Sequence, residues 1–200
     1  MKKSTLVVIS LISSLFVFSC SENNVSNGDK YYNDSQFDQA INEYSNELKY
    51  APNDVRVLYH RGRAYEELGN FEEAKSDFEA ALDLDPNNFQ VLLSLANLHH
   101  KEKNFTNALL FSNRAADIPG APAMASFMKA RALHQMGKTD DALKAYSNAI
   151  TLDKDFGQAY YNRGLLKIGI KNVKGACEDF QLSSALEYPG AAEAFKKYCK

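Results

Sequence analysis

The 200 residues contain no glycine-rich phosphate loop, no Gly-x-Ser-x-Gly turn, and no Cys-x-x-Cys or His-Glu-x-x-His spacing, so the common catalytic constellations lack their residues and no enzyme activity or cofactor is expected. Positive charge is not in excess: 23 Lys and Arg face 25 Asp and Glu. Phosphate binding needs clustered cations, which argues against nucleic acid as a partner. No apolar run reaches the length of about 20 residues that a membrane span requires. Cysteine is sparse, with only Cys20, Cys177 and Cys199, too few for a disulfide framework to replace a hydrophobic core. What the chain has is 45% apolar and 12% aromatic residues, a composition suited to one packed domain.

Those residues are periodic. Ala40, Ala74, Ala108, Ala142 and Ala176 recur at a step of 34. Gly28, Gly62, Ala96, Ala130 and Gly164 keep the same step twelve positions earlier, and Tyr44, Phe78, Ser112, Tyr146 and Phe180 keep it four positions later. Small residues and aromatics in phase at such a period mark a solenoid of stacked units. Small positions let helices approach closely, and the aromatics fill the space beside them.

In the second unit the spacing of Val57, Leu58, Gly62 and Tyr65 predicts a helix over about Val55 to Leu68. Gly69 closes its last turn and Asn70 is placed to cap the next helix. That second helix buries Ala74, Phe78 and Ala81, leaves Glu72, Glu73, Lys75 and Asp77 to solvent, and stops before Pro86.

Leu58, Gly62, Tyr65, Ala74, Phe78, Ala81 and Pro86 resemble, in order and spacing, the tetratricopeptide repeat, whose period is also 34. The resemblance extends over residues 21–190 as five repeats starting at Ser21, Val55, Phe89, Ala123 and Gly157. It implies an all-α fold, a right-handed α-solenoid of about five helical hairpins. Residues 191–200 are expected to form a capping helix over the exposed end of the last unit, with Phe195 and Ala192 or Tyr198 inward, or else a frayed tail.

Met1-Lys2-Lys3, the apolar stretch Leu6 to Phe18 and small Ser19 have the layout of a secretory signal over residues 1–19. Val17-Phe18-Ser19-Cys20 resembles the lipobox of bacterial lipoproteins, which implies lipidation of Cys20. Several acyl chains would hold the protein on a membrane, and Ser21 after the cysteine favours the outer membrane of the bacterial envelope. Residues 20–29 would form a polar tether. Losing Lys2 and Lys3 and no acid takes the net charge from −2 to −4. In an oxidising compartment Cys177 and Cys199 would either form a disulfide that fastens the cap or remain two small buried thiols.

Without a catalytic motif, function is sought on a surface. His99 and His100 point apart on a helix, His100 and His134 stand one repeat step apart, and two ligands are too few for a metal site, so they are read as solvated groove histidines. In proteins of this repeat type the first helices line a concave groove. The resemblance places Tyr59, Leu93, Phe127 and Tyr161 at the fifth position of each unit and Arg63, Asn97 and Arg131 at the ninth. Apolar side chains of a protein or peptide partner would bury against the former while the arginines pair with its carboxylates or carbonyls. This gives a membrane-anchored interaction scaffold. Two alternatives are a pilotin-like factor for assembling or localising an outer-membrane complex, and a glycan-handling lipoprotein in which Tyr59, Phe127 and Tyr161 stack on sugars.

Overall fold

The computed structural model describes residues 26–199; residues 1–19, expected as a signal sequence, Cys20 and the start of the expected tether lie outside the described residues. Eleven helices follow one another among them: α1 (Asn27–Asn33), α2 (Phe37–Tyr50), α3 (Val55–Glu67), α4 (Phe71–Leu84), α5 (Phe89–Lys101), α6 (Phe105–Ala116), α7 (Ala123–Gln135), α8 (Thr139–Leu152), α9 (Gly157–Gly169), α10 (Val173–Ala185) and α11 (Ala191–Tyr198). They form five hairpins and a terminal helix, an α-solenoid. Substantial contacts run between consecutive helices, with α5 against α7 in addition. No helix among the described residues is long and apolar enough to cross a membrane.

The ladder positions form the core. Ala40, Ala74, Ala142 and Ala176 are fully buried, as are Tyr44, Phe78, Tyr146 and Phe180. At Gly62 a Cβ would lie 2.7 Å from Phe78 Cε1, so the ring occupies the space a side chain would need; Gly28 meets Tyr44 and Gly164 meets Phe180 in the same way. Each hairpin turns through one left-handed residue, and these too keep the 34-residue step: Ser35, Gly69, Lys103, Gly137 and Lys171, with φ of 58°, 79°, 60°, 72° and 64°. At Gly69 the N–H bonds the Glu66 carbonyl while the Asn70 N–H reaches the Tyr65 carbonyl, which satisfies carbonyls left open at the helix end. Asn104 and Asn172 cap the following helices through their side chains, whereas Asn70 makes no such bond.

Three expectations are corrected here. The tether does not extend to Asp29, because Ser26 caps α1 from Asn27 and the Asp29 carboxylate takes a 2.7 Å hydrogen bond from the Tyr44 hydroxyl and a 3.3 Å contact from Arg56. Asp77 is not solvated; it is 5% exposed and held by Arg61, Nε to Oδ2 at 2.8 Å and Nη2 to Oδ1 at 2.7 Å. In α11 the buried residues are Ala191 and Ala194, while Phe195 and Ala192 are exposed. The phase of α11 is set by its end, where Tyr198 stacks on Phe180 and Cys199 forms a disulfide with Cys177.

The Arg61 arrangement occurs twice. Arg61 also donates to Ser45 Oγ at 3.1 Å, joining α2, α3 and α4. Three repeat steps later Arg163 joins α8, α9 and α10 in the same way, bonding Asp179 at 3.0 and 2.7 Å and Ser147 Oγ at 2.9 Å.

Candidate functional site

Helices α3, α5 and α7, with Gln158 of α9, line a cavity of ≈ 460 Å³. Six of the seven residues expected in the groove converge there: Tyr59, Arg63, Leu93, Asn97, Phe127 and Arg131. Tyr161 lies elsewhere, packed against Phe180 and Tyr188 at the cap. Phe127 contributes little open surface. It is 2% exposed, its ring between Tyr146 and Phe156, so it belongs to the core beneath the groove and has no free face for a sugar. Tyr59 is half-buried against Phe78 and His60. Met124 and Met128 add flexible apolar wall, able to adapt to different side chains.

One half of the groove is electrostatically closed by Glu66, which the fifth- and ninth-position count passes over. This buried carboxylate accepts from Lys101 Nζ at 2.7 Å and from Asn97 Nδ2 at 2.9 Å, and pairs with Arg63 Nε at 3.5 Å. Arg63 also meets Glu67 at 3.5 Å and donates to the Tyr59 hydroxyl at 3.5 Å. Arg63 and Asn97 are thus committed within the protein. The i,i+3 spacing of Arg63 and Glu66 on one helix is the signal in the sequence that could have shown it.

Arg131 differs. Among the described residues no carboxylate pairs with it; its guanidinium meets Met128 Sδ at 3.5 Å, lies 5.8 Å from the Phe127 ring centroid and donates to His100 Nδ1 at 3.2 Å. Since a guanidinium only donates, His100 Nδ1 accepts and the imidazole is neutral, with a buried Nε2–H that has no partner. Burial first, and the Arg131 charge second, hold His100 below its ordinary pKa of 6.5. The histidines are therefore not the solvated set expected: His99 is 2% exposed and stacked on Phe111, and His134 lies edge-on to Tyr146. The groove offers a half-buried cation at one end, an internally neutralised floor at the other and apolar wall between.

A family model described as tetratricopeptide repeat matches residues 55–88, and a second, described as TPR repeat, matches 28–69 and 130–169. The chain carries tetratricopeptide repeats. Tetratricopeptide-repeat proteins are generally binding scaffolds rather than enzymes. No curated protein matches the sequence. Among solved structures, that of MamA is 26% identical, with a TM-score of 0.74 over 83% of this chain and 97% of that one. YrrB, described as a TPR protein with an unusual peptide-binding site, is 22% identical, with a TM-score of 0.69 over 85% of this chain and 88% of its own. PilW, described as a widely conserved type IV pilus biogenesis factor, is 16% identical, with a TM-score of 0.74 over 86% of each chain. At these identities YrrB and PilW speak for the tetratricopeptide-repeat fold alone.

Proposed function

We propose that this chain is a lipid-anchored scaffold of the bacterial cell envelope that binds an extended protein segment in the groove of α3, α5 and α7. The observation that carries the binding role is Arg131, a permanent cation in the groove wall with no carboxylate partner among the described residues. A carboxylate or carbonyl of the bound segment would complete it, in a half-buried place where a charge-assisted bond is stronger than in open solvent. Its apolar side chains would settle against Leu93, Met124 and Met128. The peptide-binding site named for YrrB is consistent with such a use of the fold. Export is supported by the signal-like residues 1–19 and by the disulfide of Cys177 and Cys199, a bond favoured outside reducing cytosol. Anchoring rests on the lipobox resemblance at Cys20, and placement on the outer membrane on Ser21.

A photocrosslinking residue at Met124 in native envelopes tests the groove. The expected result is one defined crosslinked protein that disappears in Arg131→Glu while helicity is retained; an unchanged crosslink refutes the groove assignment. For the anchor, metabolic labelling with an alkyne fatty acid should mark the full chain and not Cys20→Ala, and an unlabelled wild type refutes lipidation.

A further inference from the structure

The position occupied by the Ser45–Arg61–Asp77 triad exists at every junction between repeats, and its contents differ. At the first and fourth junctions it holds the hydroxyl, guanidinium and carboxylate already described. At the second, Leu95 and Phe111 stand in place of the arginine and the aspartate, and an apolar contact fills the space. At the third, the equivalent residues are Asn113 on α6, Lys129 on α7 and Ala145 on α8. The carboxylate has been reduced to a methyl group, and a cavity of ≈ 440 Å³ lies there, lined by all three.

This cavity has unmet chemistry. Among the described residues Lys129 has neither a hydrogen bond nor an ion pair, although it is half-buried. Asn113 Oδ1 is buried without a donor, where Ser45 and Ser147 each accept from an arginine. Leu109 and Leu133 supply apolar wall. The other charges are exposed: Asp117, and the Asp141–Lys144 pair at 3.8 Å. The cavity is formed by α6, α7 and α8, whereas the groove is lined by first helices, so the two are separate sites.

We propose that this junction binds a small aliphatic carboxylic acid, whose carboxylate takes beside Lys129 the place that Asp77 and Asp179 take beside their arginines. A hydroxyl next to that carboxylate would donate to Asn113 Oδ1, and the aliphatic body would lie on Leu109 and Leu133. The volume suits a small molecule better than one inserted side chain.

The test is a titration of the full chain in detergent with 2-hydroxy-4-methylpentanoate, followed by amide chemical shifts and calorimetry. Saturable shifts confined to α6, α7 and α8 are expected, with affinity weaker by about tenfold or more for the corresponding uncharged amide. Lys129→Arg combined with Ala145→Asp rebuilds the internal triad and should abolish binding while leaving the helical content intact. Lys129→Met, which keeps length and removes charge, should weaken binding by about tenfold or more and provides the same test if the double variant does not fold. No saturable binding up to about 10 mM, the weak limit for so small a ligand, overturns the proposal. So does equal affinity for acid and amide, or unchanged binding in Lys129→Met.

Discussion

Arg163 grips Asp179 through two parallel bonds, Nε to Oδ2 at 3.0 Å and Nη2 to Oδ1 at 2.7 Å, and the aspartate side chain is 2% exposed. Lys167 adds a third contact to the same carboxylate at 2.8 Å. Removing that carboxylate leaves two cations facing each other in a half-buried place, a change that commonly costs about 3 kcal/mol or more. Asp179→Ala should therefore shift urea denaturation by about that amount, and Asp77→Ala by less, since Asp77 holds one cation where Asp179 holds two, and Arg61 is more open to water than Arg163. Equal and negligible shifts in both variants would remove the triads from the account of stability.

Reduction of the disulfide should act locally. Cys177 and Cys199 are 22 residues apart, and closing a loop of that length stabilises by about 3 kcal/mol on chain-entropy grounds. Hydrogen exchange is the suitable readout because a repeat array need not melt in one step. Adding reductant should speed amide exchange in α11 strongly while leaving α3 to α6 unchanged. Uniform protection before and after reduction would contradict this.

Backbone handedness and close packing give a pair of opposite predictions. Gly62→Ala drives a Cβ against the buried Phe78 ring and the Ala74 carbonyl, 2.7 and 3.2 Å away, and should cost about 2 kcal/mol. Lys103→Gly replaces a side chain held at φ 60°, a conformation costing an L-residue about 1 kcal/mol, and should raise the melting temperature. Thermal melts monitored by circular dichroism check both. A lower melting point for Lys103→Gly would show that the lysine side chain compensates for its backbone.

Acid should weaken the fold through its histidines. Burial holds His60, His100 and His134 below 6.5, in His60 despite the attraction of Asp29 and in His100 with added repulsion from Arg131. Each binds a proton less readily folded than unfolded, so the stability tied to the neutral rings is fully present above pH 6.5 and declines as pH falls below it. Asp29 works in a lower window. Burial raises its pKa, but the Tyr44 hydroxyl, His60 and Arg56 outweigh that and leave it under 3.8, so its contribution is lost only in stronger acid. Melting midpoints should drop between pH 7 and pH 5, and His100→Gln should flatten part of the slope. A midpoint constant over that interval would refute the assignment.

The solenoid was legible because its signal is repetition: a residue type recurring at 34 survives any misjudgement of a single helix. The groove was half legible. Counting positions brought six residues to one cavity, yet a residue's place in a repeat does not disclose its partners, and Glu66, absent from the count, binds Arg63, Asn97 and Lys101 together. Asp77 shows the same limit. Within α4 alone it sits among Glu72, Glu73 and Lys75, and only the neighbouring helix brings Arg61 to it. Its signature was nevertheless in the chain, since Ser, Arg and Asp recur together three steps later at Ser147, Arg163 and Asp179. Nothing local to Phe195 in the sequence discloses that it faces outward, because the orientation of α11 follows from where Cys199 and Tyr198 are held.

The bond between Cys177 and Cys199 also gives the array a direction. Helices that touch mainly their neighbours peel from whichever end yields first, and one end is sewn shut. At the other, α1 is seven residues long and is held by Gly28 and Asp29 against Tyr44 and Arg56. Force entering through residues that precede Ser26 would strip α1 and then α2 before it reached α3, and the first hairpin would then act as a mechanical fuse for the groove behind it.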